Sequence, residues 1–258
     1  MTMRISVFLD YRLPEPTDLM IQVEAARLPG QRVAESRLDT GGLAVLARVA
    51  APERVGERIW LRPEARLTLQ YAATVAIEPS RPDYRARAAV PLWQLPADAI
   101  PYLNESRYCP SNKFDAFVKG RFGELAGGAK VAAMAAWIEE SFAYVAGTSD
   151  ADTTALDSFA LRCGVCRDYA HVLIALARAA EIPARIASVY APDVEPQDFH
   201  AVAEVYLEGG WHLVDPTGMA QASEMAVIGV GRDAADVSFL TAYGAAELID
   251  QRVVVERE

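Results

Sequence analysis

Cysteine and histidine are scarce in this chain of 258 residues, which carries three of each. Cys109, Cys163 and Cys166 are too few and too clustered for a disulfide framework. Long apolar runs are also missing, and no window approaches the roughly 18 consecutive apolar residues of a membrane span. Basic charge is in deficit: 25 Lys and Arg stand against 35 Asp and Glu, a net charge of −10. An acidic globule repels phosphate backbones and anionic lipid, which argues against nucleic acid or a membrane as partner. The N-terminal stretch MTMRISVFLDYRLPEP is broken by Asp10 and Arg12 and is not expected to act as a signal peptide. These absences lead to the expectation of a soluble, cytoplasmic protein in a reducing compartment. Oligomeric state is not legible.

With 52% hydrophobic residues, the chain can bury one large core or two small ones. Residues 1 to about 78 read as β-structure; Leu67, Leu69, Tyr71, Ala73, Val75 and Ile77 fall two apart, the period of a half-buried strand. This part contains no His and no Cys and suggests a β-sandwich-like accessory domain. Pro79, Pro82, Pro91, Pro96, Pro101 and Pro110 then disfavour helix and central strand, marking a connection. From 113 to about 146 the spacing of Val131, Met134, Ile138, Phe142 and Val145 predicts a helix with one buried face. A second helix, apolar nearly all round, should begin near Cys166 and end before Ile182-Pro183. Short β-branched runs follow. The fold class expected is α+β, with helices on an antiparallel sheet. The expected division is 1–100, accessory domain and linker, and 101–258, catalytic domain.

Cys163 and Cys166 admit three chemistries. A redox pair of the thioredoxin kind requires a strand leading into the motif, but the preceding GTSDADTTALDSFAL reads as polar and turn-like. Zinc wants four ligands, commonly two close pairs, and Cys109, His171, His200 and His212 offer no second close pair. In the third reading Cys166 alone matters. A helix start favours the thiolate through unpaired N–H groups and the helix dipole, Gly164 lets the backbone turn in, and Arg167 adds positive charge. A lone cysteine at a helix start is otherwise a small packing residue, and a lone histidine on a strand a structural one.

A thiol nucleophile needs a base, and the base an orienting acceptor. His171 lies five residues along the same helix and points elsewhere. His200 opens a strand after the polar loop APDVEPQDF, and Asp215 ends the next strand before Pro216. Glu208-Gly209-Gly210 between them is a hairpin signal. If the turn leaves Tyr206 opposite Trp211, then Asp215 falls opposite Val202, on the same face as His200 and within diagonal reach.

The segments GVCRDYAHVLIALARAAEIPARIAS, HAVAEVYLEGGWHLVDPT and GRDAADVSF resemble the bacterial transglutaminase-like superfamily, built on the papain-like cysteine-protease scaffold. SRYCPSNKFDAF is similar to that family's approach to its helical part, and the likeness covers about residues 105–245. The resemblance implies Cys166 as nucleophile, His200 as base and Asp215 as orienter, with no metal and no organic cofactor. Val202 stands where many relatives carry an aromatic residue. What is then expected is thiol-dependent acyl chemistry, through a thioester, on a peptide, isopeptide or glutamine side-chain amide of a peptide or protein substrate, with hydrolysis favoured over cross-linking acyl transfer from glutamine. A non-catalytic binding module on the same scaffold and a disulfide oxidoreductase are the alternatives.

Overall fold

The computed structural model describes residues 1–78 and 83–258. Pro79 and Pro82 of the proline-rich connection lie outside the described residues.

The first region holds β1 (Thr2–Arg12), β2 (Leu19–Ile21), β3 (Gln31–Asp39), β4 (Ala47–Ala50), β5 (Glu57–Leu61) and β6 (Arg66–Ile77). In β1 the residues Met3, Ile5, Val7 and Leu9 are buried at a spacing of two, and Leu67 to Val75 repeat this in β6. Strands with one apolar face need a second layer. Here β1, β6 and β3 form one sheet, β2, β5 and β4 another, and their apolar faces share one core.

The second region begins with short turns through the proline-rich segment, then α1 (Asp115–Phe122) and α2 (Gly127–Ser141). The single helix expected from 113 to about 146 is therefore two. Gly127 adopts φ +53°, and a Cβ at Gly128 would fall 1.7 Å from the Tyr84 carbonyl oxygen, so this glycine pair lets the preceding strap lie against the start of α2. Phe142 is buried past the helix end, whereas Val145 is exposed.

Next come β7 (Ala143–Tyr144), α3 (Ala155–Leu161), β8 (Cys163–Gly164) and α4 (Cys166–Ala179). The stretch read as turn-like contains α3. Its start is capped by Asp157, whose carboxylate accepts from the Thr154 backbone N–H at 2.9 Å and hydroxyl at 2.6 Å. Helix α4 is buried from Asp168 to Arg178, as its apolar circumference requires. It lies on the antiparallel sheet formed by β9 (Ala184–Tyr190), β10 (His200–Leu207), β11 (Gly210–Val214) and β12 (Ala226–Gly231), in the order β11-β10-β9-β12.

The chain then returns. β13 (Leu240–Ala242) pairs with β2, and β14 (Glu247–Arg257) pairs with β1 along most of its length. The expected division at residue 100 does not describe this pairing, because residues 240–257 complete the first region's sheets. Val253 and Val255 are buried in its core, which explains why the last strand goes there. Buried hydrogen bonds also tie the two regions together: Gln31 Nε2 donates to the Val227 carbonyl at 2.8 Å, and the Val227 N–H donates to Gln31 Oε1 at 2.7 Å.

Candidate active site

Cys166 is the first residue of α4, half-buried, with Val165 before it in extended conformation. Asp168 accepts the Val165 N–H at 2.8 Å and so caps the helix start. Gly164 has a steric role rather than the expected turning one: a Cβ there would stand 2.6 Å from Cβ of Asp168. Parallel pairing of β7 with β8 holds the approach to the helix, setting Tyr144 beside Gly164. Arg167 donates to the Asp150 carbonyl at 2.8 Å and lies 3.4 Å from Asp168, so its charge is engaged there.

The β10–β11 hairpin pairs Tyr206 with Trp211 and Ala203 with Val214, the register anticipated from its turn. That register brings His200 Nε2 to 2.9 Å from Asp215 Oδ2, with both side chains buried. Asp215 also accepts the Thr217 N–H and hydroxyl on Oδ1, at 2.9 and 2.7 Å, and the Ala220 N–H on Oδ2 at 2.9 Å. A carboxylate only accepts, so Nε2 of His200 carries the proton and Nδ1 is the free basic nitrogen. Nδ1 is buried and closes no hydrogen bond of good geometry; the Cys166 sulfur lies close enough to act on the ring by charge and hydrogen bonding. Burial works against a charged imidazole, but Asp215 and Cys166 outweigh it and raise His200 to about 10. Burial likewise opposes the Asp215 charge, yet His200 and Thr217 hold its carboxyl below the ordinary range.

A residue that the sequence did not single out completes the arrangement. The Tyr144 hydroxyl lies near both the backbone N–H and the sulfur of Cys166. Burial and the neighbouring sulfur push this phenol well up, so it stays protonated. Its ring lies 5.9 Å from that of Tyr169 on α4. Nothing in the phrase FAYVAG marks this position; the two-residue pairing of β7 with β8 puts it there. Thr217 was also overlooked, although Asp-Pro-Thr-Gly is a turn in which such a hydroxyl can return to the aspartate.

The other candidates lie apart. His171 is fully buried and accepts the Ala234 N–H at Nε2, at 3.1 Å. His212 faces the Glu208 carbonyl at 3.4 Å. Cys109 is buried, and burial pushes its thiol up to about 12. Cys163 is half-buried on β8. Among the described residues, no group of three or more His, Cys, Asp or Glu is placed to hold a metal ion. The open depression of about 610 Å³ lined by Arg121, Phe122, Trp137 and Glu140 touches none of Cys166, His200 and Asp215.

A cysteine at the start of a central helix, facing a histidine–aspartate pair on an adjoining antiparallel sheet, belongs to the papain-like class of folds. Residues 116–216 match the family profile described as "Transglutaminase-like superfamily". A crystal structure described as "a Putative Cysteine Protease from Cytophaga hutchinsonii" superposes with a TM-score of 0.94 at 31% identity, over 99% of this chain and 90% of that one. The uncharacterized protein ML0607 of Mycobacterium leprae is 32% identical over 166 residues, which are 60% of this chain and 59% of that protein. The match thus spans less than two thirds of that curated relative's length. The chain belongs to the transglutaminase-like superfamily.

Proposed function

We propose that the protein is a thiol-dependent enzyme that hydrolyses amide bonds of a peptide or protein, with Cys166 as nucleophile, His200 as acid–base and Asp215 as orienter. The observation that carries this reading is the 2.9 Å His200–Asp215 contact, which leaves Nδ1 of a charged-favouring ring for Cys166. The sulfur attacks the amide carbonyl carbon and a C–S bond forms. The carbonyl oxygen, now negative, takes the Cys166 N–H, and the Tyr144 O–H turns from its present contacts to donate to the same oxygen. Collapse breaks the C–N bond as His200 Nδ1 gives its proton to the departing amine. A water then attacks the thioester, His200 takes a proton from it, and the carboxylic acid leaves as the thiol is restored. The sum is amide plus water to acid plus amine, with no cofactor consumed.

The cross-linking alternative replaces that water by an amine, and transfer needs a thioester sheltered from solvent. The deciding experiment offers a glutamine peptide with and without a primary amine and follows ammonia and amine incorporation separately. Ammonia without incorporation supports hydrolysis; efficient incorporation replaces it with transfer. Inactivity toward every amide, with Cys166 no more reactive than Cys163, would leave a binding module.

A further inference from the structure

The loop that leads to His200 carries three carboxylates, and their surroundings differ. Asp193 is taken by Arg257, whose Nη1 donates at 2.7 Å and whose Nη2 makes a second contact. Glu195 is exposed. Asp198 is only partly exposed, and one of its oxygens, Oδ1, accepts its neighbour's N–H at 2.7 Å and Gln251 Nε2 at 2.6 Å. Among the described residues Oδ2 accepts no hydrogen bond and Asp198 faces no cation. Burial accordingly pushes its carboxyl up. It lies two residues before His200, and its charge and the Cys166 sulfur both reach the Tyr144 hydroxyl. Gln251 adds an independent feature: its Oε1 is buried with no partner, while Nε2 is fixed on Asp198. That bond sets the orientation of the amide, since the reversed one would press oxygen against carboxylate.

Two acceptors without donors, Asp198 Oδ2 and Gln251 Oε1, lie on side chains bonded to each other, and one of them is charged; they call for a group rich in N–H and positive. We propose that Asp198, positioned by Gln251 of β14, binds a primary ammonium or guanidinium on the acyl-donor substrate, so that amides close to a basic group are preferred. This rests on the thiol-acyl reading above. The cation is a recognition element rather than the attacking amine, because a carboxylate partner stabilises the protonated form, which is no nucleophile. The proposal also gives the last strand a function: it crosses back to the first region and carries one member of the subsite.

The test compares Cys166 labelling by 2-aminoethyl methanethiosulfonate and by the neutral ethyl reagent, followed by peptide mass spectrometry. Each reaction forms a disulfide with Cys166 and releases methanesulfinate. The wild type should favour the ammonium reagent by about tenfold relative to free cysteine, a 1.4 kcal/mol preference. Asp198→Asn should bring that ratio close to that of free cysteine, and Gln251→Ala should lower it. Asp193→Asn, which removes a carboxylate already held by Arg257, should leave it in place. A ratio unchanged in Asp198→Asn, or lost equally in Asp193→Asn, overturns the proposal. If Cys166 resists both reagents, the thiol reading fails by itself. The subsite is then read by calorimetry with butylammonium, where equal binding to wild type and Asp198→Asn overturns it. Peptide amides bearing a free α-amine, an acetylated one, or a lysine side chain then distinguish the sources of the cation.

Discussion

Two groupings of thiol, imidazole and carboxylate occur along α4, and only one joins its imidazole directly to its carboxylate. Around His171, Cys109 is buried and its sulfur contacts the His171 backbone carbonyl at 3.6 Å rather than the ring. The Asp233 carboxylate there accepts the Tyr108 and Ala235 N–H groups at 3.0 and 3.1 Å, and the His171 ring stacks on Tyr108. Burial, with Arg167 and Arg178 adding to it, lowers His171 to about 3 against the pull of Asp233. His200 is just as buried but is raised to about 10. Burial therefore does not decide the charge of a histidine here. Direct contact between ring and carboxylate does, reinforced by the nearby Cys166 sulfur.

The largest test of that contrast is removal of each thiol. Cys166→Ala should lower amide hydrolysis by at least about 10⁴-fold, as loss of a nucleophile does. Cys109→Ala should keep the rate per folded molecule and lower only the melting temperature. Equal losses in both would erase the distinction between the groupings.

Removal of each ring comes next. His200→Ala should cost about 10²–10⁴-fold in kcat, the range of general acid–base catalysis. His171→Ala should cost stability, about 1–3 kcal/mol in denaturant titration, with kcat kept. Tyr144→Phe should lower kcat by about 10²-fold with KM nearly constant, the signature of an oxyanion donor. An unchanged kcat would reduce Tyr144 to a packing residue.

The smallest effects are in pH dependence. Because the departing amine needs a proton from His200, activity should persist through neutral pH and fall only near pH 10. Asp215→Asn keeps an acceptor for Nε2 but removes the charge, so it should shift that limb toward lower pH and lower the rate modestly. Stability follows the same contrast with opposite signs. His200 binds its proton more tightly folded than unfolded, so its contribution is complete below about pH 6.5 and is lost as pH rises through about 10. His171 is held neutral, so its unfolded form takes up the proton and stability falls as pH drops from about 6.5 toward 3. Stability curves of the two alanine variants should depart from wild type in these separate windows.

Much of the fold was legible locally. Period-two burial marked β1 and β6, and the apolar circumference of residues 168–178 marked α4. The hairpin turn fixed the register that unites His200 with Asp215, because faces alternate strictly along a strand. Less legible were the elements whose signals are short or dispersed. Helix α3 had only its Thr154–Asp157 cap to announce it, and the break between α1 and α2 depends on a distant strap reaching Gly127 and Gly128.

The amino-acid order by itself therefore determined strands β1 and β6, the start of α4 at Cys166, and the pairing of His200 with Asp215 across one hairpin. Each of these is decided within a few residues of contiguous chain. Tertiary structure alone decided the rest: Tyr144 at Cys166, Gln251 on Asp198, and β14 in the first region's sheet rather than the second's. These contacts join residues separated by 22, 53 and more than 200 positions. No periodicity or motif encodes such a meeting, because it depends on how apolar faces from remote segments find a common core.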